Sequence, residues 1–172
     1  MVFEDEVSLS NTASISYKWS PKGVQTKKKQ KQKNRERVTV FGCVEPTTGK
    51  VCYSVAQKGN TRTFFSFLLK VVKSYPDKKV YMVLDNVAYH HAIRIRKILV
   101  KYAHRIELIF LPGYSPDLNP IERIWWYMRK KISHNRYLQK MEERIEALSD
   151  FMKEFETENE LGKTLSKICS DF

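Results

Sequence analysis

The chain has 172 residues, 42% of them hydrophobic, enough for one good core and most simply a single domain spanning 1–172. Its formal net charge is +12, with 31 lysines and arginines against 19 acids, so the expected partner is a polyanion, with nucleic acid first. Three cysteines outside any CxxC spacing exclude a disulfide framework and a cysteine-rich zinc site, and neither a signal peptide nor an apolar run of the ~20 residues a membrane span needs is present, so a cytoplasmic protein with no membrane partner is expected.

Met1 to Leu9 reads as a strand that begins almost at the first residue and carries Glu4, Asp5 and Glu6. Alternation along a strand puts Glu4 and Glu6 on one face and Asp5 on the other with Met1 and Val7. Asp5 is thereby expected on the more apolar side, and the plain reading of the triplet is a solvated acidic patch. Trp19 to Gly23 is a turn. Residues 24–37 follow as a flexible basic loop with Lys27, Lys28, Lys29, Lys31, Lys33, Arg35 and Arg37 against the single acid Glu36, which supplies half of the net charge. Such a segment is expected to be disordered when free and ordered on phosphates, giving salt-dependent affinity that is blind to sequence.

Val38 to Val44 and Val51 to Ala56 are β-branched and aromatic runs separated by turn formers, which predicts a hairpin. Thr61 to Tyr75 repeats Phe64, Phe67, Leu68, Val71 and Val72 at helical spacing. Pro76-Asp77 breaks that helix. Lys79 to Asp85 is a strand with a nearly continuous apolar centre, as expected where both faces are covered. A helix from about Ala92 to Tyr102, the strand Ile106 to Phe110 and a loop from Leu111 to Asn119 come next. Pro120 to about His134 reads as a helix whose stripe, Ile121, Ile124, Trp125, Met128 and Ile132, belongs in the core, with Glu122 just off it. A long final helix is predicted from Tyr137, making 137–172 a helical extension. Its stripe of Leu138, Met141, Ile145, Leu148, Met152 and Phe155 suits packing on the domain's own core better than a dimer seam. Three antiparallel strands followed by parallel additions predict an α/β protein with a mixed five-stranded sheet flanked by helices. That is the element order of a ribonuclease H-like fold.

Two carboxylates occupy positions where rigid elements deliver accessible side chains: Asp85 at a strand tip and Glu122 on the opening turn of a helix. Each has a plainer reading. Asp85-Asn86 is common turn chemistry. Asn119 as N-cap with Pro120 at the first helical position puts Glu122 at the third, completing a capping box. The functional reading is a site for hard divalent cations, which bind carboxylate oxygens and, as a pair roughly 3.5–4 Å apart, assist phosphodiester chemistry. It requires the strands carrying Asp5 and Asp85 to be neighbours and the Glu122 helix to cross their ends. His90 and His91 lack the spacing of paired zinc ligands and read as helix-start residues.

The segments Leu84-Asp85-Asn86-Val87-Ala88-Tyr89-His90 and Leu111-Pro112-Gly113-Tyr114-Ser115-Pro116-Asp117-Leu118-Asn119-Pro120-Ile121-Glu122-Arg123-Ile124-Trp125 closely resemble two blocks of the mariner-like superfamily of DDE transposases, in the branch of bacterial and archaeal insertion sequences. Phe3-Glu4-Asp5-Glu6 with Trp19 to Gly23 is similar to the family's first block. The resemblance runs from residue 3 to about residue 134 and implies that Asp5, Asp85 and Glu122 form the metal-binding catalytic triad, with Asn86, His90 and Asn119 near it. It further implies Mg2+ or Mn2+, two ions, double-stranded DNA as transposon ends and target, a TA target, a homodimer, and a place at the nucleoid. The implied activity is hydrolysis at a transposon end followed by attack of the 3′-hydroxyl on target DNA. The chain departs from the pattern in lacking the helix-turn-helix region that usually comes first, and in Gly113, where proline is commoner. A structure-selective nuclease on the same fold and an inactive DNA-binding remnant are the alternatives.

Overall fold

The computed structural model describes residues 1–11, 36–113, 118–133, 138 and 140–167. Lys27, Lys28, Lys29, Lys31, Lys33 and Arg35 of the basic loop, and Tyr114 to Asp117 of the third block, lie outside the described residues. The elements are β1 (Val2–Ser10), β2 (Arg37–Glu45), β3 (Lys50–Ala56), α1 (Thr61–Ser74), β4 (Val80–Leu84), a 3-10 turn (Ala88–His91), α2 (Ile93–Lys101), β5 (Ile106–Phe110), α3 (Ile121–Met128) with a π-helical turn (Arg129–Ser133), α4 (Met141–Lys153) and α5 (Glu160–Leu165). They build one five-stranded sheet in the order β3-β2-β1-β4-β5. β1, β2 and β3 are antiparallel, and β4 and β5 add in parallel. This is the mixed α/β sheet expected from the sequence.

Both faces of the sheet are covered. On one, the apolar stripe of α1 (Phe64, Phe67, Leu68, Val71 and Val72) packs with Val2, Phe41, Cys43, Met82 and Leu84. Asn60 starts that helix with a full capping box: its side chain accepts from the Thr63 N–H, and Thr63 Oγ1 accepts from the Asn60 N–H. On the other face, Ile121, Ile124, Trp125 and Met128 of α3 and Met141, Leu148 and Met152 of α4 cover Phe3, Val7, Leu9, Val40 and Val44.

β1 therefore runs through the middle of the sheet, and this corrects one expectation. The Glu4 side of β1 is no solvated patch; Glu4 is 0% exposed. Alternation assigned the faces properly but could not show that helices roof both of them.

The long final helix is also corrected. It stops at Lys153, and Asn159, in extended backbone, caps a separate α5 by accepting from the Gly162 N–H. The chain between the two helices is held on the β2–β3 hairpin: Val51 N–H donates to the Phe155 carbonyl (2.8 Å) and Asn159 N–H to the Thr48 carbonyl (2.9 Å). Met141, Leu148, Met152 and Phe155 are buried in the domain's own core, as their spacing predicts.

Candidate metal centre

The parallel pairing of β1 and β4 matches Val2 with Met82 and Phe3 with Val83. Asp5 and Asp85 each lie two residues beyond the Phe3–Val83 pair, so the register brings them level at one end of the sheet. Asp5 still belongs to the ladder on its other side, opposite Gly42 of β2.

That glycine positions the third carboxylate. A Cβ on Gly42 would fall 2.4 Å from Trp125 Cη2 and 3.2 Å from Ile121 Cδ1. The missing side chain lets the fully buried Trp125 press onto β2, and the first turn of α3 comes down beside Asp5. Glu122 sits on that turn, half-buried.

The electrostatics of Asp5 register the result. Burial pushes its carboxyl up to about 8; Glu122 is the next cause, Glu6 and Asp85 add to it, and a backbone hydrogen bond at Glu6 opposes it. Asp85 is raised too, by burial and then by Glu6, against the pull of His90 and of a backbone hydrogen bond at Val87.

The capping box expected for Glu122 is absent. Pro120 is the capping residue of α3 and makes no side-chain cap hydrogen bond. Asn119 is instead buried and donates through Nδ2 to the Glu4 carbonyl at 2.7 Å. Glu4 lies just past the last β1–β4 partners, so the amide fastens the loop to β1 where that pairing ends. The Glu122 carboxylate thus takes no part in a cap and stands beside Asp5.

Three residues outside the expected triad crowd the other face of β1. His90, in the 3-10 turn, is buried against Phe64 (ring centroids 4.2 Å apart) and Tyr89 (4.7 Å). Its Nδ1 lies 3.2 Å from the Asp85 carbonyl oxygen and 3.6 Å from Asp85 Oδ1, and its Nε2 lies 3.1 Å from Glu6 Oε1. The Tyr89 hydroxyl donates to the same Glu6 oxygen. Glu4 completes the group with both carboxylate oxygens buried and without a hydrogen bond, and burial holds its pKa far above the carboxylate range. The sequence signal for this half of the site was the strand alternation itself, which sets Glu4 and Glu6 together.

Asn86 ties the turn after β4 to the loop before α3, donating to the Leu111 carbonyl at 3.3 Å and accepting from His91 Nε2 at 2.8 Å. Arg37, the described member of the basic series, is exposed at the start of β2.

A divalent cation suits this end of the sheet. Among the described residues, the basic side chain that faces Glu6 and Asp85 is His90, with ring nitrogens 3.1 Å and 3.6 Å from their carboxylate oxygens. Asp85 Oδ1, like both Glu4 oxygens, is buried without a hydrogen bond. Asp5, Asp85 and Glu122 offer oxygen donors from three separate elements, the kind of set that Mg2+ or Mn2+ accepts while retaining waters.

Comparison with known proteins agrees in family and in fold. A family model described as DDE superfamily endonuclease matches residues 1–145. The insertion element IS630 uncharacterized 39 kDa protein of Shigella sonnei is 26% identical over 151 residues, covering 87% of this chain and 43% of that protein. Uncharacterized protein y4pE/y4sA of Sinorhizobium fredii (strain NBRC 101917 / NGR234) is 32% identical over 98 residues, 56% of this chain and 69% of that one. The pre-cleavage Mos1 transpososome superposes with a TM-score of 0.74 at 16% identity, over 96% of this chain and 51% of its own. The catalytic domain of Mos1 mariner transposase gives 0.64 at 16% identity, over 96% and 74%. The chain thus spans less than half of the Shigella protein and about half of the transpososome chain. The structural likeness fixes the ribonuclease H-like fold.

Proposed function

The chain belongs to the DDE superfamily endonuclease family, and on that premise we propose that it is a transposase catalytic domain, hydrolysing a phosphodiester at a transposon end and joining the freed 3′-hydroxyl to target DNA. The observation that supports this reading is that Asp5 and Asp85 stand level at one end of the sheet, with Glu122 second to burial among the causes that push the Asp5 carboxyl up to about 8. Asp5, Asp85 and Glu122 are assigned as the metal-binding, catalytic carboxylates. A pair of Mg2+ or Mn2+ ions, when bound, would supply the charge that stabilises the attacking and departing oxygens of the phosphodiester.

The chain's own residues do the rest. Burial and Glu122 push the Asp5 carboxyl up to about 8, and a bound cation would favour its ionised form. Asn119 fixes the backbone just before Asp5, and His90 holds the backbone of Asp85 through its carbonyl. Trp125 and Ile121, fully buried against Gly42, anchor the turn of α3 that carries Glu122. The net charge of +12 draws double-stranded DNA, as transposon ends and as target. Lys27, Lys28, Lys29, Lys31, Lys33, Arg35 and Arg37 contact its phosphates. Two copies of the chain, each holding one end at the nucleoid, complete the reading.

The experiment uses the purified protein, a labelled duplex carrying the terminal repeats that flank its gene, and Mg2+ or Mn2+. Joined products are expected with the native chain and not with Asp85→Asn or Glu122→Gln. Cutting without joining would make the protein a nuclease, and retention of DNA without cutting an inactive remnant. Metal-dependent cutting that survives both substitutions would remove the assignment of the triad.

A further inference from the structure

We propose that Glu4, Glu6 and His90 form a second metal site, for a divalent transition ion such as Zn2+ or Mn2+, on the face of β1 opposite Asp5. One ligand atom from each lies within 4.8 Å of the other two. Tetrahedral ligands at the ~2.0–2.2 Å of zinc–nitrogen and zinc–oxygen bonds stand about 3.4 Å apart, so small side-chain rotations close the set. One imidazole and two carboxylates favour a transition ion over Mg2+, which prefers an all-oxygen shell.

Two independent observations ask for a cation there. The first is Glu4, which is 0% exposed with neither oxygen hydrogen-bonded. A buried carboxyl group with no hydrogen-bond partner is costly, and a bound cation supplies what is missing.

The second is the orientation of His90. Its Nδ1 faces the Asp85 backbone carbonyl, which can only accept, so Nδ1 carries the proton. With Nδ1 held on that carbonyl, Nε2 points toward Glu6 Oε1, an oxygen that already receives the Tyr89 hydroxyl. Nε2 and Glu6 Oε1 are thereby two ligand atoms aimed at one point, with a Glu4 oxygen within 4.8 Å of both. A backbone carbonyl fixing Nδ1–H so that Nε2 can bind a metal is the usual outer support of a histidine ligand. An imidazolium would satisfy Glu6 and still leave Glu4 without a partner.

The site goes beyond the transposase reading and is tested without it. The full chain carrying Asp5→Asn and Glu122→Gln, which weaken the all-oxygen site, is refolded with Zn2+ or Mn2+ alone, desalted, and its metal counted. One ion per chain is expected, and the Mn2+ form should show 14N modulation in pulsed electron paramagnetic resonance. His90→Gln should abolish the nitrogen signal, and Glu4→Gln should weaken binding at least tenfold. An empty protein, a bound Mn2+ without nitrogen coupling, or unchanged affinity in Glu4→Gln would each overturn the site. Should Glu4→Gln fail to fold, the nitrogen signal of the parent protein decides by itself.

Discussion

Asp5 holds a proton into the neutral range because burial and the Glu122 carboxylate both oppose its charge, and this makes folding pH-dependent. The folded pKa is about 8, whereas an unfolded aspartate titrates near ~3.9. Between those values the folded state binds more protons than the unfolded one, so stability falls as pH rises through that window. Glu4 and Asp85, also raised, act in the same direction. The melting temperature of the chain in chelator should therefore drop from pH 5 to pH 8, and Asp5→Asn should shallow the slope. Added Mg2+ should raise it more at pH 8 than at pH 6. A melting temperature that climbs with pH in chelator would contradict a protonated, buried Asp5. At this scale the sequence was partly legible. Asp85 at a strand tip and Asp5 opposite Glu4 and Glu6 could be read from alternation, but the burial of Glu4 depends on β1 being central, which no local pattern encodes. Glu122 illustrates the converse. Asn119, Pro120 and Glu122 have the spacing of a capping box, yet the Asn119 amide is drawn off by the Glu4 carbonyl, a partner 115 residues away.

Among the elements, α3 makes the site by where it lands, and it lands on Gly42. Any side chain there meets Trp125, whose ring is fully buried and has nowhere to retreat. Gly42→Ala should cost about 1–3 kcal/mol of stability, as overpacking does. It should also lift the first turn of α3 away from Asp5, so that cleavage per folded molecule falls. The control is Asn60→Ala, which removes the cap of α1 at a cost of about 0.5–2 kcal/mol and whose side-chain hydrogen bonds go to Arg62 and Thr63 in the first turn of that helix. Denaturant melts and cleavage rates of the two variants compared at equal folded fraction decide the matter. Equal rates would mean that α3 does not need the glycine to place Glu122. The stripes of α1 and α3 were legible because periodicity alone reports a covered face. The break between α4 and α5 was not, since Asn159 can cap a helix or sit within one, and its contact with the β2–β3 hairpin selects the cap.

For the whole molecule, the sheet order could be read from a hairpin followed by alternating strands and helices, while the distribution of charge sets a problem the fold alone does not solve. The chain is strongly cationic overall, yet the end of the sheet proposed to meet DNA gathers Glu4, Asp5, Glu6, Asp85 and Glu122. A phosphate backbone approaching those carboxylates without a cation would be repelled, so affinity for DNA must come from basic residues elsewhere and engagement of the site from bound metal. The two contributions separate under salt. Each phosphate neutralised by a lysine or arginine adds about 0.9 to the slope of log affinity against log salt on duplex DNA. Replacing Lys27, Lys28, Lys29, Lys31 and Lys33 with glutamine should lower that slope in proportion to the phosphates left unneutralised, and should weaken binding to unrelated duplexes as much as to transposon ends. Replacing Asp5 with asparagine should leave both slope and affinity in chelator unchanged near neutral pH, because burial and Glu122 push the Asp5 carboxyl up to about 8 and it carries little charge there. Filter binding across a salt series, with and without Mg2+, measures both. A lysine-to-glutamine variant whose slope matches the parent chain would show that the basic segment stays off the DNA.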